Sequence, residues 1–414
     1  MSPTSLNASQ LAEAGDPTVR RDIGFINWAH AMDHFVILIF PTVVIGLEVV
    51  YGRPYAELMA FGTASYFAFG IFALPAGWLG DHWSRRRMMA TFFFGCGVSL
   101  AAAAAAPNLI VLAVALFALG VFAAIYHPVG TAMLIEASNA RGRTLAFNGV
   151  CGNVGAALAA GITAALASWF GWRGAFIAPA AICLISGVIY LAMTRDDRHR
   201  TGKRKSVADV HLPWRIAAAM FAIYVVISIC GGLTFNTISI ALPKIVDERF
   251  GSQASLMAVG SLATAVFLCG AIGQFTMGRL VERFPPHLLF AAVVIAQFAG
   301  IVWSSYASGP ALIAALAVSM TAIYAQVTVG DIVIARYTAD AWRGRAYAVR
   351  FFLTFVSAGA SATVIAFLYA RGGFDLVLGA IAAVAAVLCI AVLAFVALVS
   401  GIERERRRGV QPAE

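Results

Sequence analysis

The chain has 414 residues, 61% of them hydrophobic and only 12% charged, and its mean hydropathy is +0.84. Soluble domains run at about 45–50% apolar and about 25% charged, so the composition excludes a soluble enzyme built around a large core. A net charge of +9 would suit nucleic acid, but its distribution along the chain has another cause, given below.

Residues 1–22 are polar, carry both signs of charge, and do not resemble a cleavable signal peptide. Beyond them, apolar runs near the ~20 residues that cross a bilayer as a helix recur twelve times. They predict helices over 23–47, 56–79, 88–106, 109–137, 144–167 and 173–194, then 215–241, 253–278, 287–307, 310–339, 345–369 and 374–401. The expected organisation is an amino-terminal tail (1–22), a six-helix bundle (23–194), a basic linker (195–213), a second six-helix bundle (214–401) and a carboxy-terminal tail (402–414). All six cysteines lie inside apolar runs and form no CxxC, which reads as packing rather than disulfide or metal chemistry.

Helix 1 contains NWAHAMDHFV at 27–36, where His30, Asp33 and His34 fall at i, i+3 and i+4 on one helical face. An ionisable group near the bilayer centre costs about 2.5–3.5 kcal/mol on insertion scales, so this face must meet water or a partner. For Asp33 the choice lies between a proton-binding carboxylate and a hydrogen bond that fixes the helix; His30 and His34 are candidate proton partners. Helix 4 carries Tyr126, His127 and Pro128, a candidate hinge with a polar lining, since proline frees a backbone carbonyl. Helices 10 and 11 carry Asp331 and Arg350, which read as an ion pair, or as a guanidinium free to grip an anionic substrate. Tyr324 lies seven residues before Asp331 and shares its face. At a rise of 1.5 Å per residue these groups sit roughly 10–15 Å from one membrane face. Topology sets that depth; contact between the groups does not follow from it.

The basic residues decide orientation. The amino-terminal segment and the even connections hold 21 of the 29 Lys and Arg, and the odd connections hold 5. Positive-inside then expects both termini and the linker in the cytoplasm, and nucleic acid is not needed to explain the surplus. The halves also repeat: GWLGDHWSRRR at 77–87 returns as GRLVERFPPH at 278–287, ARGRTLAF at 140–147 as WRGRAYAV at 342–349, and HFVILIFP at 34–41 as NTISIALP at 236–243. A near-constant spacing of this kind indicates a duplicated unit in parallel orientation.

At 77–87 the chain resembles the major facilitator superfamily, whose loop between helices 2 and 3 reads G-x-x-x-D-[RK]-x-G-[RK]-[RK]. Gly77, Asp81, Arg85 and Arg86 match, while His82 and Ser84 depart from the pattern. The second copy keeps Gly278, Glu282 and Arg283 and then diverges at Pro285, Pro286 and His287. GWRGAF at 171–176 adds to the likeness, which spans the whole chain. It implies an all-α integral membrane protein with twelve transmembrane helices in two pseudo-symmetric bundles, the major facilitator fold, and helices 1, 4, 7 and 10 lining a cavity. AHAMDHF together with YHPVG at 126–130 is similar to the fosmidomycin-resistance-like branch, which implies proton-coupled export. Helix 5 lacks the proline of the superfamily's antiporter motif, so import stays open.

The expected function is therefore a transporter, not an enzyme, working by alternating access: most simply a proton-coupled exporter of a small, drug-like or metabolite compound, possibly anionic. Asp33, His30, His34 and His127 are the coupling candidates; Arg350, Asp331, Tyr324 and Tyr126 are the substrate candidates. By resemblance Gly77, Asp81, Arg85, Arg86, Glu136, Arg141 and Arg143, with Glu282 and Arg283, form a cytoplasmic network that latches the halves in the outward-open state and breaks when the inside opens. The alternatives are a carrier of a divalent metal or its complex held by the His/Asp cluster of helix 1 (His30, Asp33, His34) with His127, and an importer of an organic anion. No cofactor, no resident metal and no nucleic acid are expected; the partners are substrate, protons and the lipid of the inner membrane, around a monomer.

Overall fold

The computed structural model describes residues 17–137, 141–195, 214–251, 254–338 and 340–407. Sixteen residues of the expected amino-terminal tail, nearly all of the linker and the end of the carboxy-terminal tail lie outside these, as do the side chains of Arg141 and Arg143. The described elements are helices: α1 (Pro17–Ile37), α2 (Ile39–Tyr51), α3 (Tyr55–Ile71), α4 (Ala73–His82), α5 (Arg85–Ala105), α6 (Leu109–Ala123), α7 (Tyr126–Ala137), α8 (Arg141–Met193), α9 (Trp214–Arg249), α10 (Leu256–Leu280), α11 (Pro286–Tyr306), α12 (Gly309–Tyr337) and α13 (Asp340–Arg407).

Three predicted spans are broken, and each break has a proline behind it. A proline cannot donate to the carbonyl four residues back and its ring crowds that carbonyl. Pro41 stands four residues after Ile37, where α1 stops; Pro75 stands four after Ile71, where α3 stops; Pro128 stands four after Ala124, just beyond the end of α6. The predicted spans 23–47, 56–79 and 109–137 are thus each a pair of helices, α1–α2, α3–α4 and α6–α7.

Two other elements are longer than a single crossing. α8 runs 53 residues through Gly171, whose φ of 73° only glycine adopts without strain. α13 runs 68 residues and turns at Gly372 and Gly373, the latter at φ 57°. Nine described helices are long and apolar enough to cross a membrane, and the bent pair α3–α4 makes a tenth. Because α8 and α13 each cross on both sides of their glycine break, the spans number twelve. An even number brings both ends of the described chain to one side, called here the terminal face.

The halves meet along two seams, α3 against α13 and α8 against α10. On the second seam the Gly161 amide donates to Thr264 Oγ1 at 3.0 Å, and Asn153 donates to Gln274. Interhelical hydrogen bonds of this kind hold helices together where lipid removes the hydrophobic driving force.

Candidate functional site

The polar face of α1 lies against α7 and α8. The His30 ring stacks on Tyr126, with centroids 4.6 Å apart and planes 21° apart. His34 lies 4.9 Å from His30, and His127 lies 5.3 Å and 5.5 Å from the two rings. Ligand atoms from His30, His34 and His127 all fall within 4.8 Å of one another. α1 approaches α8 this closely because α8 presents glycine: a Cβ on Gly155 would stand 2.0 Å from the Ala31 carbonyl oxygen, and one on Gly152 would stand 2.6 Å from the His30 ring.

Donor and acceptor chemistry orders the imidazoles. His30 Nδ1 lies 2.8 Å from the Asn148 carbonyl oxygen, which only accepts, so Nδ1 carries the hydrogen. In a neutral ring Nε2 is then an acceptor, and His34 Nε2 donates to it across 3.1 Å. Asn148 is buried; its amide donates to Asn27 Oδ1 at 2.9 Å and to the Tyr126 hydroxyl at 2.9 Å. One residue of α8 thus joins both helices that carry the histidines.

Asp33 is fully buried, and neither carboxylate oxygen has a hydrogen-bond partner. His127 Nε2 approaches Oδ2 to 3.3 Å, within ion-pair range but without hydrogen-bond geometry. His127 itself keeps 16% of its side-chain surface exposed. The cluster therefore ends in a carboxylate with unused acceptor capacity beside a partly open imidazole. An ion placed there unpaired is costly, whereas a proton or an imidazolium relieves it.

Phe355 brings the second half against this cluster. Phe355 of α13 lies 4.7 Å from His127 and 5.2 Å from Phe69. Phe351 stacks on Phe355 at 5.9 Å, and the Arg350 guanidinium lies 5.9 Å from the Phe351 ring. Arg350 pairs with Asp331 of α12 and also donates to the Val327 carbonyl at 3.2 Å. The guanidinium is thus already engaged, with 12% of its side chain exposed against 43% for Asp331. Tyr126 joins the histidine cluster. Tyr324 does not reach Asp331: it is buried in the second bundle, 5.5 Å from Phe235 and against Gly270. Helical spacing placed it on the correct helix, but a large ring there is drawn to the groove that glycine leaves on α10.

The expected latch charges are paired inside the first half. Arg85 donates to Asp81 at 2.6 Å and to Glu136, tying α4, α5 and α7. Gly77 of α4 lies close to Pro128 of α7, where an added Cβ would stand 3.2 Å from the proline ring. Arg86 donates to the Thr194 hydroxyl at 3.0 Å and to the Leu191 carbonyl at 2.6 Å, holding the end of α8. These contacts tie helices within the first bundle, since all their partners lie in the first six spans; the expected latch between the halves belongs to the outward-open state. Glu282 and Arg283 form no ion pair among the described residues; the Pro285–Pro286 turn replaces the second arginine run that the first copy uses. Asn27, Asn148 and Phe355 were not singled out by sequence. An asparagine five residues after the RGR loop motif was the available signal for Asn148; Phe355 carried none.

A family model described as Major Facilitator Superfamily matches residues 23–263 and 224–413. Three solved structures share the architecture. A bacterial homologue of the human lysosomal transporter Spinster, in an inward-facing and unoccupied conformation, superposes at a TM-score of 0.70 with 12% identity, covering 93% of this chain and 95% of that one. A D-xylose–proton symporter gives 0.72 at 14% identity, covering 90% and 96%. The nucleoside transporter NupG, as a point mutant, gives 0.70 at 14% identity, covering 91% and 99%. At such identities the likeness is one of fold. No curated protein matches the sequence.

Proposed function

The chain belongs to the Major Facilitator Superfamily and is a multi-pass membrane transporter, and from that premise we propose that it exports a small, anionic or amphiphilic compound in exchange for protons, by alternating access across the cytoplasmic membrane. Both termini and the basic linker 195–213 then lie in the cytoplasm, and the bundles 23–194 and 214–401 rock as two bodies. The observation that carries the reading is Asp33: fully buried, with both oxygens lacking a hydrogen-bond donor, and 3.3 Å from His127. A carboxylate in that position is neutralised by a proton of its own or by one carried on the imidazole. Exchange between these two arrangements is what coupling requires. About 2.3 kcal/mol accompanies each charge moved per 100 mV, so a proton brings usable work.

Arg350 and Asp331 supply the substrate end of this reading. An anionic headgroup can replace Asp331 on the guanidinium, and Phe351 and Phe355 connect that exchange to His127. The similarity of helices 1 and 4 to the fosmidomycin-resistance-like branch makes a phosphonate the first compound to try.

A second reading rests on the histidine nitrogens, whose spacing also suits a divalent cation carried as substrate. One experiment separates the two. Purified protein in liposomes with an internal pH dye is offered a phosphonate such as fosmidomycin, a panel of organic anions, and Zn2+, Co2+ and Mn2+. Substrate-dependent proton movement that is lost in Asp33→Asn supports antiport, and its sign gives the direction. Unchanged coupling in Asp33→Asn overturns the reading. A response to metals alone, lost in His34→Ala, replaces it with the second.

A further inference from the structure

On the face opposite the chain ends, Lys244 of α9 is almost completely enclosed, with 8% of its side chain exposed. Its ammonium lies 2.5 Å from Glu48 of α2, 2.9 Å from Asp247 and 3.6 Å from Glu248. Asp247 and Glu248 belong to its own helix. Glu48 belongs to the other half of the molecule, so this ion pair joins the two bundles.

Aromatic rings seal the pair. The ammonium sits 5.6 Å from the Tyr55 ring centroid, and the Tyr55 amide donates to Glu48 Oε1 at 3.2 Å. Tyr55 is fully buried and meets Tyr369 at 4.9 Å and Phe374 at 6.3 Å. The Tyr369 hydroxyl donates to Glu248. Spans 1, 2, 7 and 11 therefore converge on one ammonium. Three carboxylates surround it, so losing one partner does not strip Lys244 of compensation.

We infer that Lys244 and Glu48 form the ionic latch that holds this face of the transporter shut, and that the pair separates each time the face opens. The energetics suit a reversible closure. A buried ion pair contributes little net stability, because its attraction is offset by the cost of dehydrating both charges. Opening returns both to water, so the latch releases at small cost while opposing partial separation. Asp81, Arg85 and Glu136 stand at the terminal face, one crossing away from this pair. The inference rests on alternating access and is independent of which compound or ion is carried.

Spin labels test it without transport. In the full chain, with its six native cysteines changed to alanine, Val49→Cys and Gly251→Cys place one label on each half beside the latch. Val49 is 89% exposed, and a Cβ on Gly251 meets nothing within 4 Å. Label separations are measured by double electron–electron resonance in lipid nanodiscs. Glu48→Gln removes the crossing partner but leaves Lys244 paired within its own helix. It is expected to raise the ratio of separated to closed molecules roughly three- to tenfold. The exchange Glu48→Lys with Lys244→Glu is expected to restore the closed distance, since a cation again faces a carboxylate. Lys244→Met provides a second disruption should Glu48→Gln elute as aggregate. Distances unchanged in both disrupted variants overturn the latch. An exchanged variant that opens as far as Glu48→Gln also overturns it, because the contact is then one of packing and not of charge. Neither result bears on proton coupling, which is read separately in liposomes.

Discussion

Asn148 on α8 and Arg350 on α13 occupy the same place in the two copies of the repeat, 202 residues apart, and do opposite things. Asn148 reaches Asn27, Tyr126 and His30, all without formal charge in the arrangement described, and leaves the nearby Asp33 carboxylate without a donor. Arg350 reaches Asp331 and a backbone carbonyl, so that carboxylate has its own cation. On helix 1 of the first half stand His30, Asp33 and His34; at the same places in α9 stand Gly232, Phe235 and Asn236. Duplication kept the helix positions, and the polar chemistry diverged. One half holds an acid with nothing to satisfy it and the other holds an acid already paired.

The largest effect expected from this contrast is on coupling. Asp33→Asn should abolish substrate-linked proton movement, whereas Asp331→Asn should leave protons coupled and shift the response to lower substrate concentration, because the anion no longer has to displace a carboxylate from Arg350; the internal pH dye reads both. If Asp331→Asn removes coupling equally, the division between halves is wrong. Next comes stability. Arg350→Ala removes the guanidinium that pairs with Asp331 and should cost about 1–3 kcal/mol, less than a fully enclosed pair because Asp331 is 43% exposed. Thermal unfolding in detergent measures it, and Arg350→Gln with Asp331→Asn should recover most of the loss. Asn148→Ala removes the side-chain hydrogen bonds to Asn27 and Tyr126 but keeps the carbonyl that orients His30, so it should cost only about 0.5–1.5 kcal/mol per bond. The smallest contrast is at the repeated loop. Arg85→Gln should lower stability by about 0–1 kcal/mol per pair lost, as exposed ion pairs do, while Arg283→Gln should stay within about 0.5 kcal/mol of the parent.

Much of the scaffold was legible because lipid imposes simple rules. Apolar runs of bilayer length gave the twelve spans, and Gly171, Gly372 and Gly373 fall in the gaps left between predicted helices. Pro128 is legible as a hinge; Pro41 and Pro75 break their spans by the same mechanism, inside runs whose hydropathy is continuous. For the candidate site the result is mixed in an instructive way. His30, Asp33 and His34 share a face because helical periodicity demands it, and His127 joins them because its depth matches. Tyr324 obeyed the same periodicity and went elsewhere, since its direction depended on the groove at Gly270, two helices away in sequence. Arg85, Asp81 and Glu136 were found as a set, but which bodies they tie together was not readable from charge alone. Glu48 and Lys244 carry no local signal of their pairing, for neither reveals a partner 196 residues distant.

What the sequence determined by itself was the class of solvent, the number of crossings, the duplication and the face on which helix 1 carries its charges. These follow from hydropathy, length and the helical repeat, all local quantities. Tertiary structure decided which charges are satisfied and which are not: Asp33 bare, Asp331 paired, Lys244 spanning the halves. The physical reason is that satisfaction is a property of distance within a few ångströms. In a bundle of twelve helices those distances are set by close approaches such as Gly155 on Ala31, which no single segment encodes.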